Sequence, residues 1–124
     1  MSADSRPLAH DGTPVPTLWA GNLLAPAAFL LDLQLAYMMT SVACRQQTML
    51  HLHLVHAGSI ALGLLGAWLA WRGWRRVGRE PPDGAAGPVA RSRFLGAVGV
   101  LSSLLFVLVM AAQWLPQFFL GPCQ

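Results

Sequence analysis

Three long apolar segments dominate the pattern of hydrophobic and polar positions along the chain. They cover about residues 18–41, 49–71 and 94–115 and hold almost no charged residues. Each segment is close to the roughly 20 residues that an α-helix needs to cross about 30 Å of hydrocarbon. The pattern therefore predicts an all-α membrane protein with three transmembrane helices.

The polar stretches between these segments set the predicted connectivity. Residues 44–48 form a short polar turn, and so short a connection makes the first two spans an antiparallel hairpin. Residues 72–93 form a longer linker that is rich in arginine, proline and glycine. Residues 1–17 are polar and lack periodicity, so they predict a flexible tail in front of a three-helix transmembrane domain over residues 18–124.

The arginines predict the orientation of the chain in the membrane. Six of the eight lie in the linker between the second and third spans: Arg72, Arg75, Arg76, Arg79, Arg91 and Arg93. Because basic residues accumulate in cytoplasmic loops, this linker and the N-terminus are expected in the cytoplasm and the C-terminus in the periplasm. The predicted location is a bacterial inner membrane. No cleaved signal peptide is expected, because the first apolar run is too long for one.

Composition agrees with this class and argues against a nucleic-acid partner. The chain is 55% hydrophobic and 10% charged, whereas soluble domains carry about a quarter charged residues. The formal net charge is +3, but the basic residues lie beside apolar spans. Anionic lipid headgroups explain such a distribution, so the lipid bilayer is the expected partner and nucleic acid is not.

Small residues at helical spacing predict the faces on which the spans pack. Small side chains allow membrane helices to approach closely. The predicted packing positions are Ala28 and Ala36 in the first span, Ser59, Gly63 and Ala67 in the second, and Gly99 and Ser103 in the third.

Asp32 is a carboxylate near the middle of the first span. Such a group is costly in a membrane and is by default a functional hypothesis. Folding the hairpin about residue 46 places Asp32 opposite Ile60, with His56 about one helical turn nearer the outer surface, so the two side chains can meet directly or through a water. Two interpretations stay open: a proton-handling pair, or an interhelical hydrogen bond that stabilises the bundle.

The chain contains two cysteines, Cys44 in the turn and Cys123 near the C-terminus. The predicted topology brings both to the outer surface. The periplasm is oxidising, so a disulfide that ties the third span to the hairpin is expected. The alternative is a pair of free thiols, each buried as a small apolar side chain.

The histidines His51, His53 and His56 begin the second span, with methionines nearby. Imidazole and thioether groups suit copper, but this spacing does not put all three histidines on one helical face. His53 and His56 are therefore the candidate ligands of a metal-handling alternative, while the expected metal and cofactor content is none. A bis-histidine haem would need a histidine on another span, and the first and third spans have none.

No motif of an enzyme is found. The chain has no phosphate-binding loop, no serine-centred nucleophile motif and no pair of carboxylates. We therefore expect a protein without catalytic activity.

Three stretches hold short apolar motifs that permit a comparison. Residues 25–44 contain AP, LQLAY and AC, residues 67–72 read AWLAWR, and residues 94–123 contain FL, AQWLP and GPC. These motifs resemble a type of small, largely uncharacterised bacterial membrane protein whose genes often accompany those of haem–copper oxidases. The resemblance implies an accessory or assembly role beside cytochrome c oxidase. It supplies no catalytic residues, and Asp32 and the histidine cluster depart from it.

Three functions follow as hypotheses. The first is a non-catalytic accessory subunit or assembly factor of a larger membrane complex with haem-containing redox subunits. The second is a small homo-oligomeric, proton-coupled transporter that uses Asp32. The third is a periplasm-facing, metal-handling protein that uses His53 and His56.

Overall fold

A computed structural model describes residues 15–77 and 87–123, and this part of the chain is helical without any strand. It contains α1 (Val15–Gln46), α2 (Leu50–Val77) and α3 (Pro88–Trp114), followed by a short 3-10 helix, Leu115–Phe118. Three helices are long and apolar enough to cross a membrane. The predicted all-α class with three transmembrane helices is confirmed. Of the predicted N-terminal tail, only the last three residues are described, and they begin α1.

The first connection is tighter than the predicted turn over residues 44–48. Helix α1 continues to Gln46, and Gln47 has a positive φ of 54°. The backbone N–H of Thr48 donates to the carbonyl oxygen of Ala43 at 3.2 Å, which is the closing hydrogen bond of a Schellman motif. The helix ends where the backbone reverses, not where the sequence becomes polar, so the polar residues 44–46 are still helical.

The linker between α2 and α3 is also shorter than the predicted range of residues 72–93. Arginine has a high helix propensity, and α2 continues through its arginines to Val77. Helix α3 already begins at Pro88, since proline is well suited to the first turn of a helix. Arg93 donates from Nε and Nη2 to the carbonyl oxygen of Val77, each at 3.4 Å. This arginine therefore joins the end of α2 to the start of α3. Residues 78–86 lie outside the described part of the chain.

The three helices pack through small residues. Of the predicted packing positions, Ala36 is half-buried and the others are buried: Ala28, Ser59, Gly63, Ala67, Gly99 and Ser103. Gly21 and Gly66 are also buried. The hydroxyl of Ser103 donates to the carbonyl oxygen of Gly21 at 3.3 Å, so α3 touches the backbone of α1 directly. Because α1 and α2 each contact two other helices, each needs a wider set of small residues than a single stripe.

Gly21→Leu is expected to destabilise the bundle by about 1–3 kcal/mol, the usual cost of overpacking. A Cβ at Gly21 would lie 3.0 Å from both the Cα and the N of Ala70, which are backbone atoms that cannot rotate away. The matched control is Gly58→Leu, because a Cβ at Gly58 meets nothing within 4 Å. Thermal unfolding in mild detergent should separate the two variants. Equal melting temperatures would contradict the close packing of α1 on α2.

Candidate functional site

Most of the described ionisable side chains lie near the two ends of the bundle, whereas Asp32 lies near the middle of α1. The turn end holds residues 44–53 together with the segment after α3, and the arginine end holds residues 72–77 and the start of α3. Polar side chains of α1, α2 and the 3-10 helix meet in the half of the bundle nearest the turn end. These side chains form the candidate site.

Asp32 and His56 are the centre of this site. Asp32 lies in α1 with no exposed surface, and His56 lies in α2 with 3% exposed. The Nδ1 of His56 lies 2.8 Å from Oδ1 of Asp32. The contact lacks the alignment of a hydrogen bond, and Oδ2 of Asp32 also has no hydrogen-bond partner. The two helices therefore place the residues in direct contact, with unused hydrogen-bonding capacity on the carboxylate.

Gln117 contacts the other side of the His56 ring. Its Nε2 lies 2.6 Å from Nε2 of His56, and its Oε1 has no hydrogen-bond partner. If the amide donates, His56 is neutral and its proton lies on Nδ1, facing Asp32. If the amide is turned by 180°, its oxygen accepts from an Nε2–H of His56, and Nδ1 still faces the carboxyl group of Asp32. In both arrangements the three side chains join α1, α2 and the C-terminal segment.

His53 lies one turn closer to the end of the bundle and has different partners. The indole Nε1 of Trp114 is 2.7 Å from Nδ1 of His53. Because an indole N–H can only donate, Nδ1 of His53 accepts and the proton of the neutral ring lies on Nε2. The His53 ring centroid also lies 5.1 Å from that of Phe118. His53 thus anchors the end of α3 and the 3-10 helix on α2.

A pair of cysteines closes the turn end. The sulfur atoms of Cys44 and Cys123 lie 2.00 Å apart, at the distance of a disulfide bond. Cys44 is near the end of α1, and Cys123 follows the 3-10 helix. The amide of Gln47 reaches Cys123 Sγ at 3.4 Å and the carbonyl oxygen of Cys44 at 2.7 Å. The cysteine pair therefore fixes the C-terminal segment to the end of α1. This position allows Gln117 of the C-terminal segment to reach His56 in α2.

The candidate metal ligands His53 and His56 already have protein partners. Both ring nitrogens of His56 contact side chains, and Nδ1 of His53 accepts from Trp114. Within residues 15–77 and 87–123, no group of three His, Cys, Asp or Glu side chains is placed to hold a metal ion. His53 and His56 therefore contact α3 and the 3-10 helix. They do not surround a common position for a metal ion.

An apolar layer separates this site from the arginine end. Further along α2, Gly63 faces Val107 and Met110, and Met110 has no exposed surface. The next polar contacts lie beyond this layer: Ser103 donates to Gly21, and Asn22 donates to the carbonyl oxygen of Leu95 at 3.2 Å. Gly63 is about 10 Å from His56 along the helix axis. The contacts around Asp32 and His56 are thus separate from those of Asn22 and Ser103.

The arginine end carries exposed cations beside aromatic rings. Arg72, Arg75 and Arg76 are exposed on α2, and Arg91 is exposed on α3. The Arg72 guanidinium lies 5.2 Å from the ring centroid of Trp68, and that of Arg75 lies 4.9 Å from the ring of Trp71. Arg79 lies outside the described residues.

The sequence pattern did not identify Gln117 and Trp114 as partners of the histidines. A signal was present, because the predicted pairing of Cys123 with Cys44 already returns the C-terminal segment to the start of the second span. Residues six to nine positions before Cys123 must then lie near residues 51–56. Asn22 gave no comparable signal, since a single amide in an apolar run is not periodic.

Comparison with protein families, curated proteins and solved structures found no family model, no relative and no structural neighbour that matches this chain.

Proposed function

We propose that this chain is a non-catalytic accessory subunit or assembly factor of a larger membrane complex, of the respiratory redox type that includes cytochrome c oxidase. The observation that carries the proposal is that the central polar side chains lie against one another across the bundle. His56 contacts Asp32 and Gln117 at 2.8 and 2.6 Å, and these contacts join separate segments of the same bundle. Such contacts stabilise a small membrane bundle. In the proposed role, its outer surface binds the partner complex.

The outer surface of the bundle is suited to contact with lipid and with the apolar surface of a partner membrane protein. Large apolar side chains such as Leu30 in α1 and Leu101 and Leu108 in α3 are about two-thirds exposed. Most residues of the apolar stretch of each membrane-spanning helix lie on the outside of the bundle. The resemblance of the apolar motifs to proteins encoded beside haem–copper oxidases supplies the type of partner, namely membrane subunits that carry haem.

The proposed location is a bacterial inner membrane, with the arginine end in the cytoplasm and the turn end in the periplasm. The support is the cluster of arginines at one end, under the tendency of basic loops to stay inside. An oxidising periplasm would also allow Cys44 and Cys123 to pair. Both arguments assign the same end of the bundle to the outside.

The test is affinity purification of the tagged full chain from its native membranes in mild detergent, with a haem absorbance spectrum and mass spectrometry of the co-purifying proteins. We expect haem bands and oxidase subunits in the eluate at stoichiometric amounts. An unrelated three-span membrane protein with the same tag is the control. A colourless, lone or self-associated chain would overturn the proposal.

A second function is favoured by one specific observation. Oδ2 of Asp32 is buried and has no hydrogen-bond partner, which is what a proton-binding carboxylate in a small homo-oligomeric transporter requires. The same purification distinguishes the two functions. A self-associated chain whose proton flux in liposomes is abolished by Asp32→Asn, with its melting temperature kept, would establish transport in place of the accessory role.

A further inference from the structure

One surface feature has no part in the proposed function. Trp68, Trp71, Arg72, Arg75 and Arg76 line an open groove of about 330 Å³ at the arginine end of α2. We call this feature the Trp–Arg groove. We propose that it binds the headgroup phosphate of an anionic phospholipid. This inference does not depend on the proposed accessory role.

The guanidinium groups in the groove are held by the indole rings. Arg72 stacks on Trp68 and Arg75 stacks on Trp71, at 5.2 and 4.9 Å from the ring centroids. Each pair is spaced by four residues and so lies on one face of the helix. A guanidinium that stacks on an aromatic face keeps its N–H edges free to donate, and that edge matches a phosphate oxygen pair in a bidentate manner.

The described part of the chain offers these cations no carboxylate. Asp32 is the only acidic residue within residues 15–77 and 87–123, and it contacts His56. His56 and Arg72 lie on the same helix, about 24 Å apart along its axis. The three arginines are exposed, so an external anion can reach them.

The surroundings of the groove favour a lipid over a soluble phosphate. Leu64 and Leu65 precede it on α2 and are 49% and 44% exposed, so an apolar surface leads from the groove towards the middle of the membrane. A phospholipid can place its phosphate on the arginines and an acyl chain along this surface. The indoles lie between this apolar surface and the arginines. In membrane proteins, tryptophan is enriched at the corresponding boundary between hydrocarbon and headgroups.

The test is native mass spectrometry of the purified full chain, titrated with phosphatidylglycerol or with phosphatidylcholine. Wild type is expected to retain phosphatidylglycerol in preference to phosphatidylcholine. Arg72→Gln/Arg75→Gln should weaken phosphatidylglycerol binding by about twenty-five-fold, since each juxtamembrane arginine contributes roughly fivefold. The control Arg45→Gln/Arg91→Gln removes the same charge from exposed positions outside the groove and should leave binding close to wild type.

A conservative variant separates a specific site from general charge attraction. Arg72→Lys/Arg75→Lys keeps the charge but loses the planar guanidinium, so its affinity should fall between those of wild type and the glutamine pair. Glycerol 3-phosphate carries the phosphate without acyl chains and should not displace the lipid. Equal binding of both lipids, equal losses in the two glutamine pairs, wild-type affinity in the lysine pair, or displacement by glycerol 3-phosphate would each overturn the proposal.

Discussion

His56→Leu is expected to lower the free energy of unfolding by about 3–5 kcal/mol, the usual cost of removing one partner of a buried pair of ionisable side chains. The substitution leaves Asp32, which has no exposed surface, without the imidazole that it contacts. It also removes the ring nitrogen that Gln117 contacts at 2.6 Å. The buried Asp32 and the half-buried Gln117 would then face leucine, so this variant should be among the least stable of the chain.

The measurement is a double-mutant cycle by unfolding in mixed micelles of detergent and SDS. Asp32→Leu should cost less than His56→Leu, because it removes the carboxylate and leaves the imidazole, which can be uncharged, in contact with Gln117. The double variant Asp32→Leu/His56→Leu should recover much of the loss, since replacing both members of a buried pair by apolar residues is often nearly neutral. Additive losses in the double variant would show that the 2.8 Å contact carries no interaction energy.

The control for this prediction is His51→Leu. His51 is also at the start of α2 and is half-buried, and its Nδ1 has no hydrogen-bond partner. Leucine at this position removes a ring nitrogen that has no hydrogen-bond partner, so the stability should change by less than about 0.5 kcal/mol. If His51→Leu lowers the free energy of unfolding as much as His56→Leu, the effect comes from the start of α2 in general and not from the contact with Asp32.

The contact between Asp32 and His56 was predictable because it depends on counting residues across a short turn. A hairpin of two helices with a few connecting residues has little freedom of register, so a residue in α1 has few possible neighbours in α2. The small-residue positions were predictable for a related reason, since membrane helices approach where side chains are small. Gly21 and Gly66 were missed because each helix was assigned one packing face, whereas a three-helix bundle requires two.

The C-terminal partners of the histidines depend on details that a sequence pattern does not contain. Helix α3 ends at Trp114, and a single 3-10 turn around Pro116 directs Gln117 inward and Phe118 onto His53. A different rotation of this turn would place Gln117 at the surface with almost the same hydrophobic pattern. Helices α1 and α2 continue beyond the predicted spans because the length of an apolar segment reflects the thickness of the membrane, while hydrogen bonding and backbone reversal determine where a helix ends.

The second large effect is expected when the cysteine pair is broken. Cys123→Ser should lower the stability of the oxidised protein by about 2–4 kcal/mol, the typical contribution of a disulfide. The pair closes a loop of 79 residues, for which chain entropy alone would give roughly 4–5 kcal/mol. Helices that stay inserted in the unfolded state already restrict the chain ends. The expected loss is therefore the lower range of about 2–4 kcal/mol. The contact of Gln117 with His56 should loosen as well, because Cys123 fixes the end of the C-terminal segment.

The measurement is unfolding of wild type and the cysteine variants with and without a reductant. Cys44→Ser, Cys123→Ser and Cys44→Ser/Cys123→Ser should lose the same stability, because each removes one and the same covalent bond. Reductant should bring wild type to this level and leave the variants unchanged. If the two single losses add in the double variant, or if wild type does not respond to complete reduction, each cysteine stabilises the bundle only through the non-covalent contacts of its own side chain. In that case the position of Gln117 against His56 is set by the 3-10 turn and by the contact of Trp114 with His53, without any covalent contribution.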